Sequence, residues 1–195
     1  MSRLILASAS PIRAQILRAA GVAFEIIPAY LDEVAVRNSL PPEGEAIADA
    51  LAELKARYVS ALNPGAWAVG ADQVLMLDHV AMSKAETLEE AFRHLRKLRG
   101  RSHVLVASLV LARDNETLWR HAAEAELVMR DFSDSFLSDY LAREGEAVLG
   151  GVGCYRLVSL GAQLFDRIEG DYFSILGMPL LPLLKELRTR EIIPT

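Results

Sequence analysis

The sequence predicts an α/β (α+β) fold, a mixed β-sheet flanked by helices. Three observations predict it. The chain opens on a continuous apolar run, Leu4-Ile5-Leu6-Ala7, that leads at once into a helix-start signal, as a strand buried on both faces does. A long amphipathic segment follows at residues 43–62. Two long strand-like runs, residues 103–113 and 117–129, then meet across Asp114-Asn115-Glu116, a hairpin signal. Hairpins beside strand–helix units argue against a purely parallel sheet. At 195 residues the chain reads as one domain, 1–195, with roughly 86–143 as a second lobe packed on the same sheet.

Ser10 can cap the first helix, Pro11 takes its first position, where the missing N–H costs nothing, and Gly21 ends it. Residues 24–29 read as a second strand, and Pro41-Pro42 breaks the loop beyond it. In the helix 43–62, Ile47, Leu51, Leu54, Tyr58 and Leu62 recur at spacings of four and three, and Asn63-Pro64-Gly65 stops it. Residues 66–69 and 74–77 read as strands flanking Gly70-Ala71-Asp72-Gln73. Thr87 to Glu90 form a capping box for a helix that Gly100 closes after Leu98. Ser133 caps a helix carrying Phe136, Leu137, Tyr140 and Leu141. Residues 154–157 and 163–168 read as extended, and 179–187 as a closing helix.

Composition bounds the function. The 52% hydrophobic and 24% charged content belongs to a globular protein, and the net charge of −5 argues against a nucleic-acid or membrane surface. A single cysteine, Cys154, cannot form an internal disulfide and fits a reducing cytosol. The apolar run at 4–7 is far too short for a signal peptide or a span. The expectation is a cytoplasmic protein with no nucleic-acid or membrane partner.

The stretch LASASPIR, residues 6–13, carries the first chemical signal. A strand that enters a helix through small hydroxyl residues leaves the helix N-terminal amides free for an anion such as phosphate. Ser8 and Ser10 add hydroxyls. Arg13 lies in the first turn, where a cation opposes the helix dipole unless a ligand supplies negative charge. The plainer alternative is that Ser10 only caps and Arg13 is a solvated surface residue. Neither a P-loop nor a Rossmann glycine pattern is present.

Acids supply the second signal. Asp72 interrupts an apolar strand, and a carboxylate there is costly unless paired, hydrogen-bonded or metal-bound. The alternative is a turn residue bonded to local backbone. Gly70 beside it permits close approach of a ligand. Asp32 and Glu33 form a second acidic loop that alone would read as solvated. Lys84 serves equally as a phosphate contact or an exposed loop residue, and Lys55 reads by default as a solvated helix lysine. The four histidines lack metal-ligand spacing and read as structural. Together these features point to metal-assisted attack of water on a phosphate ester or anhydride.

Seven segments in order resemble the Maf family of nucleotide pyrophosphatases: LASASPIR (6–13), LDE (31–33), ALAELKA (50–56), VGADQV (69–74), SKA (83–85), GRSHVLVASLVL (100–111) and LFDRIEGDYFSILGMPL (164–180). The resemblance implies an elongated, two-lobed Maf/ITPase-like fold, often a homodimer. It implies hydrolysis of a nucleoside triphosphate to the monophosphate and pyrophosphate with a divalent cation, Mg²⁺ or Mn²⁺. By position, Ser8, Ser10 and Arg13 would hold phosphates, and Lys55 and Lys84 would neutralise their charge. Glu33 would help bind metal or nucleotide, and Asp72 would be the general base or a metal ligand. Departures from the family pattern are Ile12 for an arginine, Gln73 for threonine, Ala85 for proline, and Arg156 and Val158 for glycine and glutamine. Gln73 and the cation at Arg156 resemble the branch that acts on 7-methyl-GTP, although Val158 lacks the acid that branch carries. The rival expectation, motivated by Ile12 and the altered 150–159 loop, is a non-catalytic nucleotide-binding regulator linked to cell division.

Overall fold

A computed structural model describes residues 2–194. In chain order its elements are β1 (Leu4–Leu6), α1 (Pro11–Ala19), β2 (Glu25–Ile26), α2 (Glu33–Asn38), α3 (Gly44–Leu62), β3 (Trp67–Leu77), β4 (Val80–Met82), α4 (Leu88–Leu98), β5 (Ser102–Arg113), β6 (Glu116–Met129), α5 (Asp134–Glu144), β7 (Phe165–Glu169), α6 (Tyr172–Ile175) and α7 (Leu180–Thr189). Two 3₁₀ segments, Gly145–Gly150 and Leu160–Leu164, lie between α5 and β7. The described residues form one seven-stranded sheet of order β2-β1-β3-β5-β6-β7, with β4 paired to β3. β2, β1 and β3 are parallel, whereas β3, β5, β6 and β7 are antiparallel. The sheet is therefore mixed, as expected.

The local signals act where their geometry is simple. Thr87 and Ser133 accept from the amides of Glu90 and Phe136, capping α4 and α5. Asp114 and Asn115 take positive φ, which turns β5 into β6 as a tight hairpin requires. A second hairpin of the same kind, at Asp78 and His79, adds β4.

Several expectations need correction. β3 is not broken at Asp72. It runs unbroken, with Asp72 opposite Ser108 and Gln73 opposite Ala107 on β5. The backbone ladder to β5 outweighs the poor strand propensity of Gly and Asp. The second strand shrinks to Glu25–Ile26 because only these residues pair with β1. Residues 154–157 are not extended. Cys154 has a positive φ of 57°, and the chain turns here between the two 3₁₀ segments. α2 occupies what read as an acidic loop, because Asp32 accepts from the Ala35 amide and caps it.

The buried stripe of α3 also differs from the one expected. Leu54, Tyr58 and Leu62 are exposed, while Ile47, Leu51, Ala52, Lys55, Ala56 and Val59 face the sheet. Alanines at 52 and 56 form the contact because α3 lies unusually close to β3. A Cβ on Gly70 would sit 2.0 Å from the Ala52 carbonyl oxygen and 2.7 Å from the Ala56 nitrogen. Gly70 thus makes room for a helix, not for a ligand. On the opposite face, one apolar cluster joins the sheet to α4 and α5 through Leu75, Leu95, Leu127 and Leu137. A second joins it to α1 and α7 through Leu6, Leu17, Leu109 and Leu183. Among the described residues no helix is long and apolar enough to cross a membrane.

β1 pairs with β3 only at residues 67–69, and β4 pairs with it only at 75–77. Between them the edge of β3 has no neighbouring strand among the described residues, so the sheet carries a notch with Asp72 and Gln73 at its floor.

Candidate active site

The first loop lines one rim of the notch. Ser8, buried just past β1, accepts from the Ser10 amide at 3.2 Å. Ser10 takes the N-cap backbone conformation but its side chain makes no cap bond, so the expected capping role is not realised. Arg13 reaches across the notch. Its Nε donates to the Gly177 carbonyl at 2.8 Å, and one terminal nitrogen, Nη1, donates to the Ala71 carbonyl at 2.8 Å and to Ser8 Oγ at 3.2 Å. Arg13 is therefore not a solvated surface residue. Burial lowers its pKa, and Asp72 and Glu33 oppose that shift. Three of the five guanidinium donors are committed to framework; Nη2 makes no hydrogen bond among the described residues. Gly177, at φ 79°, leaves space for this arrangement, since a Cβ there would meet Arg13 Nη2 at 3.2 Å.

Asp72 points from the notch floor toward α3. Only 5% of it is exposed, so its charge requires partners. Lys55 Nζ donates to Asp72 Oδ1 at 2.7 Å and pairs with Glu33 Oε1 at the same distance. Arg37 Nη2 approaches Asp72 Oδ2 at 3.4 Å. Lys55 is itself buried, which corrects the solvated reading. The close approach of α3 at Gly70 brings its ammonium to the strand. Burial alone would raise the Glu33 carboxyl, but the Lys55 bond and the charges of Lys55, Lys84 and Arg37 hold it below the usual carboxylate range. Lys84, exposed on the far rim after β4, is pulled down by desolvation, and Glu33 and Asp72 oppose that shift. Two carboxylates thus face four cations, an excess suited to a polyanion.

Mg²⁺ and Mn²⁺ take oxygen ligands from one or two carboxylates and complete their shells with phosphate and water. Glu33 and Asp72 already meet on one ammonium, so both can reach one shared cation. The donor set fits such an ion. Among the described residues no cluster of three or more His, Cys, Asp or Glu forms a cage. The fit therefore rests on ligands that a phosphate would add.

Gln73 points to the opposite face of β3. Its Nε2 donates to the Ser174 and Ile175 carbonyls at 3.2 and 3.0 Å, anchoring α6. It lines a cleft of about 470 Å³, with Ser10, Ile12 and Gln15 on one side and Tyr155, Arg156 and Val158 on the other. This volume suits a small-molecule ligand. Arg156 is not a free cation. It pairs with Glu144 at 2.8 Å, and Glu144 also accepts from the Leu160 amide at 2.9 Å. Burial would raise the Glu144 carboxyl, but bonds from Ser159, Leu160 and Arg156 outweigh it and hold it low.

The structure thus brings Ser8, Arg13, Glu33, Lys55, Asp72 and Lys84 together at the notch, and Ser10, Gln73 and Arg156 along the adjoining cleft. Sequence reasoning missed Arg37, Glu144 and Tyr155. The i,i+4 spacing of Glu33 and Arg37 was available as a signal, but only for a segment known to be helical.

A nucleoside triphosphate pyrophosphatase from Granulibacter bethesdensis is 52% identical over 97% of this chain and 98% of its own length. A 7-methyl-GTP pyrophosphatase from Brucella abortus is 45% identical over 98% of each chain. A solved nucleoside-triphosphatase/dITP/XTP pyrophosphatase from Mycobacterium abscessus shares 18% identity, covering 65% of this chain and 74% of its own, at a TM-score of 0.42. Residues 3–190 match the family described as Maf-like protein. The chain belongs to the Maf-like family.

Proposed function

We propose that the protein hydrolyses a nucleoside triphosphate to the monophosphate and pyrophosphate. The observation that carries the reading is the notch, where the Ser8–Arg13 loop and Asp72 share one edge of β3, joined by the Arg13–Ala71 bond. The adjoining cleft ends on Gln73 and has room for a base and sugar, while the cation excess at the notch suits the phosphates. The names carried by its relatives support a nucleoside triphosphate as the substrate class.

The chemistry follows from the geometry. Arg13 Nη2, Lys84 and Lys55 hold phosphate oxygens and lower the charge that a nucleophile meets. Glu33 and Asp72 would hold a divalent cation, Mg²⁺ or Mn²⁺, which would supply stabilisation of the negative charge that builds up as pyrophosphate departs. Asp72 accepts a proton from water as the water oxygen bonds to the α-phosphorus. The bond from that phosphorus to the bridging oxygen breaks, and pyrophosphate leaves with the bond's electron pair. Lys55 holds the Asp72 carboxylate in position. For the base, 7-methyl-GTP is the first candidate, because Gln73 and Arg156 sit along the cleft and a relative carries that name.

The test is a panel of nucleoside triphosphates, including 7-methyl-GTP, dTTP and UTP, each assayed with Mg²⁺ or Mn²⁺ for pyrophosphate. The expected result is pyrophosphate and monophosphate in equal amounts from at least one. Absence of turnover across the panel, or release of orthophosphate as the first product, overturns the proposal.

A further inference from the structure

His103, which the sequence reading leaves as structural, occupies an unusual position. It is 2% exposed, on β5, and lies on the same sheet face as Leu105, a lining residue of the cleft. Its Nε2 lies 2.9 Å from the Tyr155 hydroxyl. Its Nδ1 is buried and has no partner among the described residues. A phenylalanine would fill similar space without stranding a nitrogen. An orphaned buried polar atom therefore calls for a benefit elsewhere. Burial pushes the imidazole pKa down to about 4, so the ring is neutral at working pH and carries one N–H. If that proton sits on Nε2, the orphan is a lone pair, the milder of the two unsatisfied states.

The benefit lies on the far side of the bond. Tyr155 lines the cleft opposite Ser10 and Ile12. Its ring packs edge-on against Phe165 with centroids 4.9 Å apart. A Cβ on Gly153 would fall 2.1 Å from the Tyr155 ring, so the loop is shaped around that ring. The residues on either side of Tyr155 are pinned separately. Tyr140 donates to the Cys154 carbonyl and accepts from the Arg156 amide, each at 3.3 Å, and Glu144 holds Arg156 and Leu160. The cleft wall thus hangs from α5 at its flanks and from β5 at its centre. His103 is the side chain that connects the central point to the strand paired with Asp72's own strand.

We propose that His103 is a positioning residue for nucleotide recognition: by holding the Tyr155 hydroxyl it sets the cleft wall against which the base packs. This rests on the nucleotide reading of the cleft. His103 touches no phosphate and takes no part in bond breaking. Losing it weakens capture of the nucleotide and leaves the chemical step mostly intact.

The experiment compares wild type with His103→Phe, His103→Gln, Tyr155→Phe and the double variant His103→Phe/Tyr155→Phe. Hydrogen exchange of residues 152–160 is read alongside KM and kcat on the nucleotide that wild type turns over. For His103→Phe, exchange of this segment is expected to rise about three- to ten-fold, the scale of one net hydrogen bond. KM is expected to rise by a similar factor, with kcat changing less than about three-fold. His103→Gln, which keeps a donor and an acceptor, restores both. Tyr155→Phe matches His103→Phe, and the double variant adds little, because both remove one bond. A fall in melting temperature with exchange of 152–160 and KM both unchanged overturns the proposal and leaves a purely structural histidine. If wild type turns over no nucleotide, the functional reading fails, and the exchange data alone decide whether His103 positions the wall. An unaltered exchange pattern in His103→Phe then refutes it.

Discussion

Replacing Gly70 with alanine separates two explanations of that residue, a close-packed helix and a bound ligand. The new Cβ would lie 2.0 Å from the Ala52 carbonyl oxygen, 2.7 Å from the Ala56 nitrogen and 2.9 Å from the Ala56 Cβ. The first two atoms are helix backbone and cannot rotate away. Carbon–oxygen contacts ordinarily begin at about 3.3 Å, so α3 must retreat by roughly 1 Å. Overpacking of this kind typically costs about 1–3 kcal/mol, and two unyielding contacts place this case near 3 kcal/mol. For a chain of this size that corresponds to a fall in melting temperature of about 6–12 °C. The same retreat lifts Lys55 from Asp72, opening a 2.7 Å bond beyond hydrogen-bonding reach. Urea denaturation and steady-state kinetics on one preparation read both effects. The expectation is a loss of about 3 kcal/mol together with a reduced kcat. Stability within about 0.5 kcal/mol of wild type, with KM alone raised, would refute the packing argument and restore a ligand at Gly70.

Two further substitutions probe the polar cluster. Asp72→Asn keeps the shape but removes the proton acceptor, so kcat should fall by about 10²–10⁴ while calorimetry shows nucleotide binding largely retained. An unchanged rate would take Asp72 out of the reaction. Glu33→Gln tests the sign of an electrostatic contribution. The folded-state carboxyl of Glu33 is held low despite burial, by the Lys55 bond and by Lys55, Lys84 and Arg37. A depressed carboxyl stabilises the fold above its unfolded pKa of about 4.3 and loses that contribution as pH falls through the folded value. The stability gap between wild type and Glu33→Gln should therefore be full near neutral pH and close in acid. A gap that widens as pH falls would contradict the ion-pair geometry.

What could be read from the residues divides along a physical line. Features set by local backbone chemistry were legible: the caps at Thr87 and Ser133, the turn at Asp114-Asn115, and the strand-to-loop-to-helix entry at LASASPIR. Features set by non-local approach were not. Where α3 crosses Gly70 its buried stripe narrows to Ala52 and Ala56, with Lys55 between them, because the helix backbone lies so close that larger side chains would not fit there. Hydrophobic periodicity therefore found Ile47 and Leu51 but drifted off the buried face beyond them, onto Leu54, Tyr58 and Leu62. Asp72 was legible as an anomaly, a charge among apolar neighbours. That it sits within an unbroken strand follows from its pairing with Ser108, which no local signal encodes. Arg13 was legible as a cation in an unfavourable place. Its partners at Ala71 and Gly177 lie too far along the chain for any spacing rule to find. The family resemblance supplied the convergence that composition could not.

The notch at Asp72 is proposed to direct water to the α-phosphorus of a nucleoside triphosphate. Turnover in ¹⁸O-labelled water, followed by mass spectrometry of the products, tests it most directly. The label is expected to enter the nucleoside monophosphate, and pyrophosphate to leave unlabelled. Label in the pyrophosphate, or in free orthophosphate, would place the attack on another phosphorus and contradict it.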